Sequence, residues 1–161
     1  MDRSEKSLGN LPLSILVILR IAIGWHFLYE GVTKVLNSNW SSIGYLLDSK
    51  GFMSGFFHAL AQNSTVLSTV NFLNEWGLIL IGLGLVLGCF TRAASYSAMV
   101  LLAMYYLSHP PFIGLNYALP TEGNYFILDK VFIEFLTAWV LALIPTGEFI
   151  GLDRIIFKSS N

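Results

Sequence analysis

The sequence predicts an all-α integral membrane protein, a four-helix bundle formed by a single domain over residues 1–161. Only 12% of the 161 residues are charged and 55% are hydrophobic, whereas about 25% of the residues in an ordinary soluble domain are charged. The mean hydropathy of +0.65 is typical of a chain whose solvent is largely lipid. Four apolar segments approach the roughly 20 residues that a helix needs to cross a bilayer. They lie at about 11–36, 72–90, 93–109 and 125–144.

Each predicted span has a recognisable limit. The first is too long for a cleaved signal sequence, carries Arg20 and lacks a small-x-small cleavage site, so we interpret it as a retained membrane helix. Only Thr91 and Arg92 separate the second and third spans, which predicts an antiparallel hairpin. Proline ends helices because it removes a backbone donor and clashes with the preceding turn. Pro110 and Pro145 therefore limit the third and fourth spans.

The positive charges predict the orientation, because Lys and Arg are concentrated in cytoplasmic loops. In the loops on the side away from the termini, Lys50 is the clear positive charge, so both termini are predicted to be cytoplasmic. The loop of residues 37–71 is then extracytoplasmic. It spaces Phe52, Phe56 and Leu60 four residues apart, as on one face of a short interfacial helix. A re-entrant segment is the alternative. The cations assigned to the cytoplasmic side are Arg3, Lys6, Arg92, Arg154 and Lys158.

The first span carries four ionisable side chains where lipid is expected. Arg20, His26, Glu30 and Lys34 fall on one stripe about 120° wide at 100° per residue. Glu30 and Lys34 are also an i,i+4 pair in the favourable order. Charges inside a span are costly unless they are paired or hydrated. The stripe is therefore predicted to face the interior of the bundle.

Further ionisable residues on the other spans predict a polar pocket open to the outer side, where helices one, two and four converge. Asp129 and Glu134 of span four are the candidates for proton handling, because the buried carboxylates outnumber the buried cations. Aromatic side chains around Phe56, Tyr105 and Tyr125 are expected at its entrance. The alternative is an ion network that only fixes the helix register. The candidate ligand-binding residues are Arg20, His26, Glu30, Lys34, Glu75, Lys130 and His109.

Several classes of function are disfavoured by what the sequence lacks. The single cysteine, Cys89, excludes an internal disulfide and a Cys-x-x-Cys pair. Three histidines without ligand spacing give no argument for a metal site. The net charge of −1 gives no basic surface for nucleic acid. No phosphate-binding loop or dinucleotide fingerprint is present, so no covalent or soluble cofactor is expected.

Three strings, in this order along the chain, resemble motifs of the DoxX family: Arg20-x3-Gly24-x5-Glu30-Gly31-x2-Lys34, Gly88-Cys89-Phe90-Thr91-Arg92, and Gly147-x3-Gly151-Leu152-Asp153-Arg154. The resemblance covers most of the chain. It implies a multi-pass protein of the bacterial or archaeal cytoplasmic membrane. Relatives in that family include a subunit of thiosulfate:quinone oxidoreductase, and quinone is the recurring partner.

The first functional hypothesis is therefore a redox-associated membrane subunit that binds a quinone or a similar amphipathic ligand in the outer pocket. The resemblance leaves open whether the chain is itself an enzyme, and a partner redox protein or a second copy of the chain is a further expected contact. The first alternative is a non-catalytic scaffold for a partner protein. The second is a small proton-coupled transporter, although four spans are few and no paired broken helices are apparent.

Overall fold

The computed structural model describes residues 3–119, 126–144 and 146–158, with side chains described from residue 11 to residue 157. The described part is entirely helical and contains no strand, which confirms the predicted all-α class. Its helices are α1 (Arg3–Leu36), α2 (Ile43–Leu47), α3 (Ser54–Gln62), α4 (Ser64–Leu87), α5 (Thr91–Ser108), α6 (Lys130–Leu143), α7 (Thr146–Phe149) and α8 (Asp153–Lys158).

Two of the described helices are long and apolar enough to cross a bilayer, Leu11–Leu36 within α1 and Ser64–Leu87. Only 22% and 28% of their most apolar windows are buried inside the protein, whereas the core helix of a soluble protein is mostly buried. Large apolar side chains also cover the outside of the two shorter main helices: Val100 of α5 is 67% exposed and Ile133 of α6 is 60% exposed. An apolar surface of this extent marks contact with lipid or with another apolar partner.

Two helix starts differ from the predicted spans, and a side-chain cap explains each one. Helix α4 begins at Ser64 instead of residue 72, because the Asn63 side chain accepts hydrogen bonds from the backbone of Thr65 and Val66. Helix α6 begins at Lys130, after Asp129 caps it. The predicted start of span four at Tyr125 lies outside the described residues.

Small residues bring α1 and α4 into close contact. A Cβ atom built on Gly24 would lie 2.8 Å from the Leu85 side chain, and one on Gly82 would collide with the backbone of Leu28. The two helices therefore pack backbone against backbone, as small residues allow in membrane helix pairs. This contact fixes the register of the α1 stripe relative to α4.

The bundle has two different ends. Gly88 and Phe90, both in the left-handed region, form the tight turn between α4 and α5, so these helices form the predicted antiparallel hairpin. We call this the turn end; α7 and α8 fold back against it, with the Asp153 amide donating to the Gly88 carbonyl at 2.8 Å. We call the opposite end, where α1 and α5 finish and α4 and α6 start, the loop end.

The segment between α1 and α4 is helical, as predicted, but a different aromatic residue anchors it. Phe57 of α3 is buried with Leu46 and Ala61. Phe52 lies before α3 and is 79% exposed, and Phe56 is also exposed. Leu60 packs against this buried cluster, so the predicted face of Phe52, Phe56 and Leu60 is not continuous within α3.

Candidate ligand-binding cavity

A cavity of about 700 Å³ lies at the loop end of the bundle. Its walls come from the four main helices α1, α4, α5 and α6, and segments 40–45 and 109–119 cover it. Apolar and polar groups share the lining, as in sites for small molecules. The apolar wall includes Phe27, Leu78, Leu102 and Val131, and the polar lining includes His26, Glu30, Lys34, Trp40, Asn74, Tyr45, Tyr105, His109, Tyr117, Asp129, Lys130 and Glu134.

The stripe on α1 supplies the charged side of the cavity. His26, Glu30 and Lys34 line it at successive helical turns, as the four-residue spacing predicts. The Lys34 ammonium lies 3.6 Å from a Glu30 carboxylate oxygen. It also lies 5.4 Å from the centre of the Trp40 ring and 5.9 Å from that of Tyr105. An ammonium over aromatic faces is stabilised by the ring quadrupoles, so Lys34 is held in place without being fully neutralised by one carboxylate.

Helix α6 meets α1 across the cavity through an imidazole–carboxylate contact. His26 Nε2 lies 3.3 Å from Glu134 Oε1, and the Glu134 side chain is 12% exposed. Lys130 and Asp129 line the cavity nearer the loop end. The Asp129 carboxylate accepts a 2.7 Å hydrogen bond from the Phe132 amide, so part of its role is to start α6. Of the two carboxylates predicted to handle protons, Glu134 lies deeper and against a titratable partner.

Two buried polar atoms in the lining have no hydrogen-bond partner among the described residues: Asn74 Oδ1 and His109 Nε2. The Asn74 amide donates to the Tyr105 hydroxyl at 2.6 Å. The His109 ring stacks on Tyr45 with centroids 3.9 Å apart, and Tyr117 lies 4.6 Å away on ring centroids. Leaving a buried polar atom unpaired costs about 1–3 kcal/mol. A ligand or water in the cavity that paired with these atoms would therefore gain free energy.

Asp48 follows the first covering segment by three residues and binds the second one. Its carboxylate accepts from the backbone amides of Ala118 at 2.8 Å and Leu119 at 3.0 Å. The Leu119 amide is the largest cause that lowers the pKa of Asp48 below its ordinary value, and the Ala118 amide and Lys50 lower it further. The Ser49 hydroxyl adds a second contact at the cover, because it donates a hydrogen bond of 2.8 Å to the carbonyl of Ser108 at the end of α5. The cover is therefore closed partly by a charged side chain.

Arg20 lies outside this cavity, against expectation. It is 2% exposed, and its guanidinium donates to the Thr146 hydroxyl at 3.2 Å and to the Ile150 carbonyl at 2.7 Å. It therefore links α1 to α7 and to the residue that follows α7. The described lining also omits Glu75 of α4 and Phe56 of α3. Tyr125, expected at the entrance, lies outside the described residues.

The residues that sequence reasoning missed come mainly from the covering segments. Tyr45, Tyr117 and Trp40 lie in short loops whose positions depend on contacts distant in sequence. Asn74 could have been predicted from the sequence, because a side-chain amide within an apolar helix is as unusual as the carboxylate of the neighbouring Glu75. The other expected lining residues, His26, Glu30, Lys34, His109, Asp129, Lys130 and Glu134, all reach the same cavity.

Comparison with known proteins is consistent with this architecture. The model of the DoxX family matches residues 15–110, which include most of α1, all of α2 to α5, and His109. The chain therefore belongs to the DoxX family, whose members are associated with membranes. No curated protein and no solved structure matches the chain.

Proposed function

We propose that this DoxX family member binds a quinone or a similar amphipathic ligand in the cavity at the loop end, as a redox-associated subunit of a bacterial or archaeal cytoplasmic membrane. The observation that carries the proposal is the cavity itself. It combines an apolar wall with buried polar atoms that lack partners among the described residues. A quinone needs an apolar site for its ring and tail and hydrogen-bond partners for its oxygens.

The proposal includes four membrane spans, α1, α4, α5 and α6, with both termini in the cytoplasm. Lys34 and Lys130 line the cavity at the loop end. Outside the cavity, the turn end carries Arg92 and Arg154 and the loop end carries Lys50, and this asymmetry favours a cytoplasmic turn end. Green fluorescent protein, which does not fluoresce when exported unfolded, should fluoresce when fused to either terminus. A dark fusion at one terminus would contradict this topology.

The chemistry of the lining supports a ligand with hydrogen-bonding oxygens. Lys34 supplies ammonium donors, and the hydrogen of the Tyr105 hydroxyl is available for donation, since this hydroxyl accepts from Asn74. The carbonyl oxygen of Asn74 can accept from the hydroxyl of a reduced quinol. Donors and acceptors together suit a ligand that alternates between carbonyl and hydroxyl forms. Glu134, paired with His26, is the group placed to exchange a proton with such a ligand.

Lipid extraction tests the proposal. The purified protein should release a quinone, identified by absorbance and mass, or should bind a soluble naphthoquinone after delipidation. An absence of quinone combined with no binding on addition would refute it.

A matched pair of lysine variants identifies the binding site. Lys34 and Lys50 are both near the loop end, but only Lys34 is in the described lining. Lys34→Met should weaken naphthoquinone binding by about tenfold, the equivalent of one charge-assisted hydrogen bond. Lys50→Met removes the same charge and should change the affinity less than twofold. Equal weakening in the two variants would show that the effect is one of general charge and that the ligand binds elsewhere.

A further inference from the structure

Two imidazole–carboxylate pairs approach the same cavity from different elements. His26 of α1 lies 3.3 Å from Glu134 of α6. His109, just after α5, has its Nε2 atom 3.9 Å from an Asp48 carboxylate oxygen. Both histidines and Glu134 line the cavity, whereas Asp48 lies next to His109 and is not among the described lining residues.

The two pairs lie at different depths along the bundle. His26 precedes Lys34 by eight residues, which is about 12 Å along the axis of α1. The Tyr105 ring lies 5.9 Å from the Lys34 ammonium, and His109 follows Tyr105 by one turn toward the loop end. The backbone positions of His26 and His109 are therefore separated along the bundle by about 12 Å or more.

His109 is oriented by contacts that leave one ring nitrogen available. Its ring stacks on Tyr45 and lies at a tilt to Tyr117, and its Nδ1 atom lies 3.1 Å from the Ser108 hydroxyl. The separation of 3.9 Å from Asp48 is too long for a hydrogen bond. Nε2 is thus a buried atom without a hydrogen-bond partner among the described residues, and it belongs to a side chain that borders the cavity.

We infer that the cavity selects head groups with two oxygens at opposite ends of a ring, one bound by His109 and the other by the His26–Glu134 pair. This inference rests on the proposed function and specifies its ligand class. The oxygens of a para-quinone are roughly 5 Å apart, and two hydrogen bonds of about 2.8 Å extend this to roughly 11 Å between protein atoms. This length and the backbone separation of about 12 Å or more are of the same order, and both histidine side chains line the cavity.

A small anion held by Lys34 alone is the competing ligand. It would contact the charged side of the cavity and leave both histidines outside the binding interaction. Histidine substitution distinguishes these two ligands, because only a ring with two oxygens contacts both imidazole–carboxylate pairs.

The test combines two ligands with two variants, titrated at neutral pH in detergent. The ligands are 2-methyl-1,4-naphthoquinone and 2-methyl-1-tetralone, which keeps the fused-ring skeleton but has one carbonyl. His26→Phe and His109→Phe should each weaken binding of the quinone five- to tenfold, the loss of about one hydrogen bond. The single carbonyl of the tetralone reaches only one pair, so one of the two variants should leave its affinity within twofold.

A third variant separates hydrogen bonding from packing. The side-chain amide of His109→Gln can occupy the position of Nε2, so this variant should recover most of the quinone affinity that His109→Phe loses. The melting temperature of each variant identifies any that fails to fold, and the other phenylalanine variant then carries the test. It should still weaken quinone binding five- to tenfold, and a change of less than twofold would overturn the inference.

The outcomes distinguish this inference from the proposed function. Quinone binding that is unchanged within twofold in either phenylalanine variant would overturn the inference and leave the quinone site intact. Equal weakening of both ligands by both variants would also overturn it. An absence of quinone binding by the wild-type protein would instead refute the proposed function itself.

Discussion

Replacing Asp153 should destabilise the turn end more than any other single polar substitution there. The Asp153 carboxylate is 3% exposed and accepts from the Phe90 amide at 2.6 Å, from the Thr91 amide at 2.9 Å and from the Thr91 hydroxyl. Each hydrogen bond to a charged group contributes about 1.5–3 kcal/mol, and the buried donors would be left unpaired. Asp153→Ala should therefore cost about 3–5 kcal/mol in the free energy of unfolding.

Thermal unfolding in mild detergent measures this loss. For a chain of this size, 1 kcal/mol corresponds to a change of about 2–4 °C in the melting temperature, so Asp153→Ala should lower it by about 10 °C. Thr91→Val removes only the hydroxyl donor and should lower it by about 2–5 °C. The neighbouring Arg154 is exposed, and Arg154→Ala should change it by less than about 2 °C. A melting temperature for Asp153→Ala within 2 °C of wild type would refute the capping role.

Two further predictions concern the helix contact and the cavity cover. Gly82→Leu should abolish the folded protein in size-exclusion chromatography, because its Cβ would collide with the Leu28 backbone. Gly77→Ala on the same helix meets no atom within 4 Å and should remain folded. A folded Gly82→Leu protein would contradict the close packing. Asp48→Asn should lower the melting temperature at pH 7, and this difference from wild type should persist down to about pH 4 and shrink below it. The folded pKa of Asp48 is below its ordinary value of 3.8, so its stabilisation is complete above the ordinary value and is lost as pH falls through the lowered one. A difference that already vanishes between pH 7 and pH 5 would contradict this assignment.

The charged side of the cavity was predictable because helical periodicity is a local property. The spacing of His26, Glu30 and Lys34 places them on one face whatever the rest of the chain does, and the cost of burying charge in lipid turns that face inward. The cover was not predictable in this way. Asp48 meets the backbone of Leu119 across 71 residues of sequence, and no local pattern encodes such a contact.

The partner of Arg20 shows a second limit of sequence reasoning. Depth along a helix can be counted from the sequence, but the return of the C-terminal segment cannot. Since α7 folds back onto the turn end, Thr146 and Ile150 accept hydrogen bonds from Arg20 there. Asp129 illustrates a different limit: residues 126–128 before it are apolar, so hydropathy alone does not mark the start of α6.

Fluorescence quenching of Trp40 is the most direct test of the claim that the cavity binds a quinone. The chain has four tryptophans, and Trp40 is the one in the described lining. Titration with 2-methyl-1,4-naphthoquinone should quench wild-type fluorescence with a saturable component, and Trp40→Phe should lose that component while keeping its fold. Quenching that is linear in concentration and the same in both proteins would contradict a quinone site in this cavity.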